Sequence, residues 1–225
     1  MPQSASEVRD QQLLQQLLNQ VQLNPTKDRW EWVLNASGNF TVRSVKGWLQ
    51  VQHREVPEQV FVWNNWTPKK VGVVGWRALV DRLPTKVAIS IRGIQLQSTC
   101  CVFCNDFPET CEHIFTSCQF AQTVWFIITQ WCKIPNAFIF SLKDLLEYHN
   151  LQGSAKKKKA LYAVSLVYLW SVWRMRNNMV FNQGQVSVQK VVEEIKNMSF
   201  LWVKNRSKEV GLTWEAWCKF EVFPV

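Results

Sequence analysis

The chain lacks several things that would narrow its function at once. Acidic residues are scarce, 17 against 26 lysines and arginines, so the formal net charge is +9. That balance favours polyanions as partners, nucleic acid or an acidic membrane surface, over acidic-surface functions. Only three histidines and eight glycines occur. No glycine-rich phosphate cradle is present, and His53 and His149 lie far from any nucleophile pattern. No Asp-Asp pair exists to hold the two divalent metals of a polymerase. No apolar run is long enough to span a bilayer. The best candidate, Leu161 to Met175, carries Ser165 and Ser171, is too short, and ends in Arg174 and Arg176. The polar opening, Met1 to Asp10, resembles no secretory leader, and seven cysteines is an odd number. Reduced thiols in an intracellular compartment, nuclear or cytoplasmic, are the expectation, with no membrane association.

What is present begins with tryptophan, at 13 residues, in a chain that is 47% hydrophobic and 19% charged. This is the composition of a folded protein. Most of the indoles are expected in the core, leaving a minority for stacking on nucleobases.

The cysteines carry the specific chemistry. Cys101 and Cys104 are separated by two residues, His113 follows after eight, and Cys118 after four more. Zinc takes four thiolate or imidazole ligands in a tetrahedron, and a close cysteine pair can bind it from one turn. Cys100 and Cys111 stand close enough to substitute for a ligand. Cys132 and Cys218 read as packing residues.

Local patterns predict a mainly helical protein with one short β-hairpin, a zinc-stabilised helical module and a C-terminal helical segment. An amphipathic helix is expected over 11–23, with Leu13, Leu14, Leu17, Leu18 and Val21 on one face, ended by Asn24-Pro25. Alternation from Asp28 to Phe40 around a turn at 35–39 predicts the hairpin, with Phe40-Thr41-Val42 extended. Ser44 is a candidate cap for a helix to about Gln52. Thr67-Pro68 opens a helix to about Arg82, in which Gly72 and Gly75 are weak points. Thr85 to Arg92 is a second helix, closed by Gly93. Helices also follow over 118–131 and from a capping box at Ser141 and Asp144 to His149. Two long ones are expected over 160–182 and 186–208.

The organisation read from these patterns has five parts. They are an N-terminal helix and linker (1–27), a hairpin-helix lead-in (28–60), the zinc module (61–149), a Lys-rich linker (150–159) and a C-terminal helical region (160–225). Lys69, Lys70, Arg77, Arg82, Lys86 and Arg92 surround a single acid, Asp81, and form a candidate phosphate-binding face. Lys156 to Lys159 could serve nuclear import, phosphate contact or simply a solvated linker. Trp170 and Trp173, with Arg174 and Arg176, read as stacking groups or, more ordinarily, as core.

From Phe61 to Trp125 the chain resembles the reverse transcriptase zinc-binding domain of plant LINE-type (non-LTR) retroelements. The resemblance rests on Phe61-Val62-Trp63, Pro68-Lys69-Lys70-Val71, Trp76-Arg77, Asp81-Arg82-Leu83-Pro84-Thr85, Gly93-Ile94, Glu109-Thr110, His113-Ile114-Phe115, Cys118, Ala121 and Val124-Trp125. Asp28 to Trp32 and Gly38 to Ser44 resemble the segment on the N-terminal side of the domain in those polyproteins. Leu169 to Asn178 with Phe181-Asn182 resemble the segment on its C-terminal side. One departure is Val102, where the family has proline after the first cysteine. The resemblance implies zinc as cofactor, Cys101, Cys104, His113 and Cys118 as ligands, and Cys100 and Cys111 as bystanders. It also implies a non-catalytic accessory role in handling RNA or DNA, without sequence preference. A reverse transcriptase, or a second copy docked through the apolar C-terminal helices, is the possible protein partner. A zinc-braced protein-interaction scaffold and a degenerate transposon remnant are the alternatives. The small ligand loop is expected to fold only with metal bound.

Overall fold

A computed structural model describes residues 4–20, 30–52, 61–135, 139–151, 153–208 and 211–221. The chain divides into two compact units, Met1–Glu58 and Gln59–Val225.

In the first unit, helix α1 spans Ala5–Leu18. Ser4 caps it: its Oγ accepts from Glu7 N at 3.3 Å, while Glu7 Oε2 accepts from Ser4 N at 3.0 Å. This reciprocal capping box satisfies two otherwise orphaned donors, and it starts the helix well before the expected residue 11. Leu13, Leu14, Leu17 and Leu18 share the expected face and are exposed. Val21 to Asn24-Pro25, like Asp28-Arg29, His53 and Glu55 to Gln59, lies outside the described residues.

The expected hairpin is corrected. Residues 30–40 contain no strand. They form a turn that Trp32 N closes on Gly38 O at 2.8 Å, with Gly38 at φ 68. One such bond is not a ladder. Trp32 is instead tied forward, its indole donating to Ser44 Oγ at 2.7 Å and its ring standing edge-on to Phe40 at 5.0 Å. Helix α2, Val42–Gln52, begins where an extended run was expected. Its cap is Thr41 rather than Ser44, with Thr41 Oγ1 accepting from Ser44 N at 3.1 Å.

In the second unit, helices α3 (Lys69–Leu79), α4 (Lys86–Ile91), α5 (Gln119–Trp131), α6 (Leu142–Glu147), α7 (Ala155–Asn182), α8 (Val188–Arg206) and α9 (Trp214–Cys218) follow in order. A π-helical turn, His113–Ser117, precedes α5, and a 3-10 turn, Tyr148–Leu151, follows α6. Local chemistry fixes the starts. Thr85 Oγ1 accepts from Ala88 N at 3.2 Å, and Ser141 with Asp144 forms the expected capping box. Pro68 stands at the N-cap of α3, so the helix begins at Lys69, one residue later than expected.

Helix α7 organises this unit. Every residue from Ala160 to Leu169 is buried, which is the signature of a helix surrounded on all sides. It packs against α3, α6, α8 and the π turn. Gly75 makes the α3 contact possible, since a Cβ there would stand 2.8 Å from Leu166 Cδ2. Leu161 to Leu169 are therefore internal core of this unit.

Two further differences concern the C-terminal half. Lys156–Lys159 are not a linker: they belong to the first turns of α7, which Ser154 precedes. Lysine is a good helix former, so nothing in the run resists helix. The short α9, which the local patterns do not predict, closes the far end. Trp131 Nε1 donates to Trp217 O at 3.0 Å and Trp217 Nε1 to Lys196 O at 3.1 Å. Among the described residues no helix is long and apolar enough to cross a membrane.

Candidate metal centre

The ligand loop starts at the single β-bridge among the described residues, Cys100 with Pro108. Cys101 N donates to Phe107 O at 2.7 Å and Glu109 N to Thr99 O at 2.8 Å. This short antiparallel pairing folds the chain back on itself. Within it the turn from Cys101 to Cys104 closes through Asn105 N to Cys101 O at 2.9 Å, with Asn105 in the left-handed region at φ 61. The turn forms with Val102 in place of proline.

The second half comes from the π turn. His113 N is capped by Thr110 Oγ1 at 3.0 Å, and Cys118 N donates to His113 O at 2.7 Å. That closure brings His113 and Cys118 to the same side as the first pair. Cys118 is also the N-cap of α5.

The ligand atoms of Cys101, Cys104, His113 and Cys118 all lie within 4.8 Å of one another. Cys101 Sγ and Cys118 Sγ are 3.9 Å apart, and Cys104 Sγ is 3.3 Å from His113 Nε2. Tetrahedral zinc with ordinary bond lengths sets these separations at about 3.8 Å and about 3.6 Å. The donor set and the spacing fit zinc. Four protein ligands complete the tetrahedron, as in structural rather than catalytic sites.

The electrostatics favour a thiolate. The neighbouring Cys118 thiol holds Cys101 down to about 5 against burial, helped by the Phe103 amide, which donates to Cys101 Sγ at 3.4 Å. Cys118 is pushed up in turn, first by that shared contact and then by burial. Two thiols this close cannot both ionise without a cation to hold them.

The site is not an isolated loop. Cys101, Cys118, Ile114 and Phe115 are buried. Tyr168 of α7 donates to Phe115 O at 2.7 Å, with Ala121 O at 3.2 Å, pinning the π turn to the core. Phe103 stacks on Phe120 at 4.3 Å. The ligands are thus built into the larger apolar core, which the local patterns present as a separate region.

The other cysteines are placed elsewhere. Cys111 is buried and pushed up to about 12, first by desolvation and then by Asp81. Lys86 Nζ donates to Cys100 O at 2.8 Å. Cys132 is buried, whereas Cys218, expected to pack, is exposed.

One residue gives no sign of its role in the sequence. Glu109, inside the ligand loop, is fully buried and faces Arg176 of α7, with Oε1 2.6 Å from Nη2 and 3.1 Å from Nε. The same oxygen accepts from Lys86 N at 2.8 Å. Glu109 therefore joins the loop, the start of α4 and α7. An arginine in so apolar a helix was the available signal. Arg176 also lies over the Trp173 ring at 4.9 Å. Both are buried, so they are core and not a stacking surface.

The basic residues are partly engaged. Arg77 donates through Nε and Nη2 to Arg82 O at 3.1 and 2.8 Å, closing the turn after α3. Lys70 Nζ lies 5.3 Å over the Trp170 ring. Lys69, Arg82 and Arg92 are exposed.

Neither the curated proteins nor the solved structures give a match to this chain. Residues 40–125 do match a family described as zinc-binding in reverse transcriptase, and all four candidate ligands fall inside the match. Residues 40–125 of this chain therefore carry the reverse transcriptase zinc-binding domain.

Proposed function

We propose that this protein is a non-catalytic module, derived from a LINE-type retroelement reverse transcriptase of plant origin, that holds one structural zinc and binds RNA or DNA through a basic face. The observation that carries this reading is the Cys101–Cys104–His113–Cys118 cluster at zinc-ligand spacing inside the matched segment. When bound, zinc supplies a cross-link between the Cys101–Cys104 turn and the π turn. With all four positions filled by protein atoms, no ligand position is left for chemistry at the metal.

The net charge and the exposed Lys69, Arg82 and Arg92 support a polyanion partner. These side chains neutralise phosphates and carry no base recognition, so binding is sequence-tolerant and salt-sensitive. A reverse transcriptase polymerase domain acting on the same nucleic acid is the natural companion.

The test is titration of labelled RNA and DNA at several salt concentrations. Lys69, Lys70 and Arg82 are changed together to glutamate, leaving Arg77 to close its turn. Each lost phosphate contact lowers the salt slope by about 1. Affinity and slope that match the unaltered protein would remove these residues from the binding face.

A further inference from the structure

Of the tryptophans expected to stack on bases, Trp173 is buried and Trp170 half-buried, while others are exposed. Trp63 is 57% exposed and Trp76 is 39% exposed. Both belong to one surface. Trp63 lies against the bare backbone of Gly72, where a Cβ would meet the ring at 2.9 Å. Gly72 and Trp76 are four residues apart on α3, so they are neighbours along one face of the helix. Lys69 and the exposed Val73 lie on the same stripe.

Trp63 is held from both sides. Tyr162 of α7 donates to Val62 O at 2.6 Å, and Asn64 Nδ2 donates to Lys159 O at 2.9 Å. Its ring stands edge-on to Phe61 at 5.0 Å. An exposed indole fixed this firmly loses little freedom when a flat ligand covers it.

The same anchors bring Lys159 of α7 to the segment that leads into α3. Lys159 Nζ lies 4.9 Å over the Trp66 ring, three residues before Lys69. Lys159, at the end of the lysine run of α7, and the lysines at the start of α3 therefore flank the Trp63–Pro68 segment. Positive charge beside rigid aromatic faces is the arrangement that binds unpaired nucleic acid: lysines follow the backbone while bases stack. A duplex keeps its base faces covered and cannot use the indoles.

The geometry points to a single-strand binding track in which Trp63 and Trp76 stack on unpaired bases while Lys69 and Lys159 contact the phosphates. This rests on the nucleic-acid reading above and adds the form of nucleic acid to it. Trp63→Ala and Trp76→Ala are titrated, as the zinc-loaded full chain, with oligo-uridine RNA, oligo-thymidine DNA and a duplex of equal length. Each variant is expected to weaken single-strand binding at least about fivefold while leaving the duplex affinity and the salt slope unchanged. Trp63→Phe, which keeps an aromatic face, should retain most of the binding. Single-strand affinity unchanged in both alanine variants, or an equal loss on the duplex, would overturn the stacking track while the basic-face reading stands. Failure of every probe to bind the unaltered protein would overturn both and leave the face to a protein partner. A variant-free check is ultraviolet cross-linking of a bromouridine-containing strand to the unaltered protein. Cross-links at peptides containing Trp63 or Trp76 support the track, and cross-links confined to other peptides overturn it.

Discussion

Glu109 and Arg176 form a buried charge pair whose partners are 67 residues apart in sequence. A buried pair is costly to break from one side, because the remaining charge has no water to turn to. Arg176→Ala is expected to lose about 3–5 kcal/mol of stability. In a double-mutant cycle with Glu109→Gln, measured by denaturant unfolding, the second change should then cost far less than it does alone. Additive losses would mean the pair is not coupled. His149 is a second informative residue. Burial against α7 lowers its pKa below 6.5, with Lys158 adding to the effect, and its ring lies 4.6 Å from Tyr162. Between the lowered value and 6.5 the unfolded chain binds the proton and the folded chain resists it. Stability therefore falls as pH drops through that window, and it is regained as pH rises above 6.5. His149→Gln should flatten this dependence in thermal unfolding at fixed zinc; an unaltered slope would assign it to other groups. At this scale the grouping of Cys101, Cys104, His113 and Cys118 was legible, because cysteine and histidine spacing reports chemistry directly. It did not reveal Glu109 with Arg176, because nothing local connects two residues that meet only through the fold.

Among the elements, the helices with strong local chemistry were legible. Thr85 and the Ser141–Asp144 box mark their starts by side-chain bonds to nearby amides, which sequence alone can specify. The hairpin failed for the complementary reason. Alternation around Trp30 and Trp32 imitates a strand, but Trp32 bonds forward to Ser44 and, among the described residues, no strand pairs with it. The glycines of α3 look like weaknesses in the sequence and prove to be contact points. Gly72 seats Trp63 and Gly75 admits Leu166. Gly75→Val is expected to lose about 1–3 kcal/mol, despite valine's better helix propensity, because Leu166 is itself fully buried and has no room to give. Equilibrium unfolding checks this, and a stabilised variant would show that α3 and α7 do not pack this closely.

At the scale of the whole second unit, the candidate zinc site and the helical core are one structure. Its ligand turns are pinned to α7 by Tyr168 and by Glu109 with Arg176. Sequence reasoning separates the module from the C-terminal helices because the lysine run looks like a boundary. In the structure those lysines are helical, and Lys159 lies over Trp66, just before α3. Chelation should therefore lower the unfolding temperature of α5, α7 and α8 along with that of the loop, in one transition. A helical core whose melting ignores chelator would show that the two fold independently. The most direct measurement is the zinc-to-protein ratio of the purified chain, taken beside a Cys101→Ser, Cys104→Ser double variant. The account predicts a ratio of about one, as a four-ligand structural site holds a single ion, and its loss in the variant. A well-folded unaltered protein that carries no zinc and takes up none would contradict it.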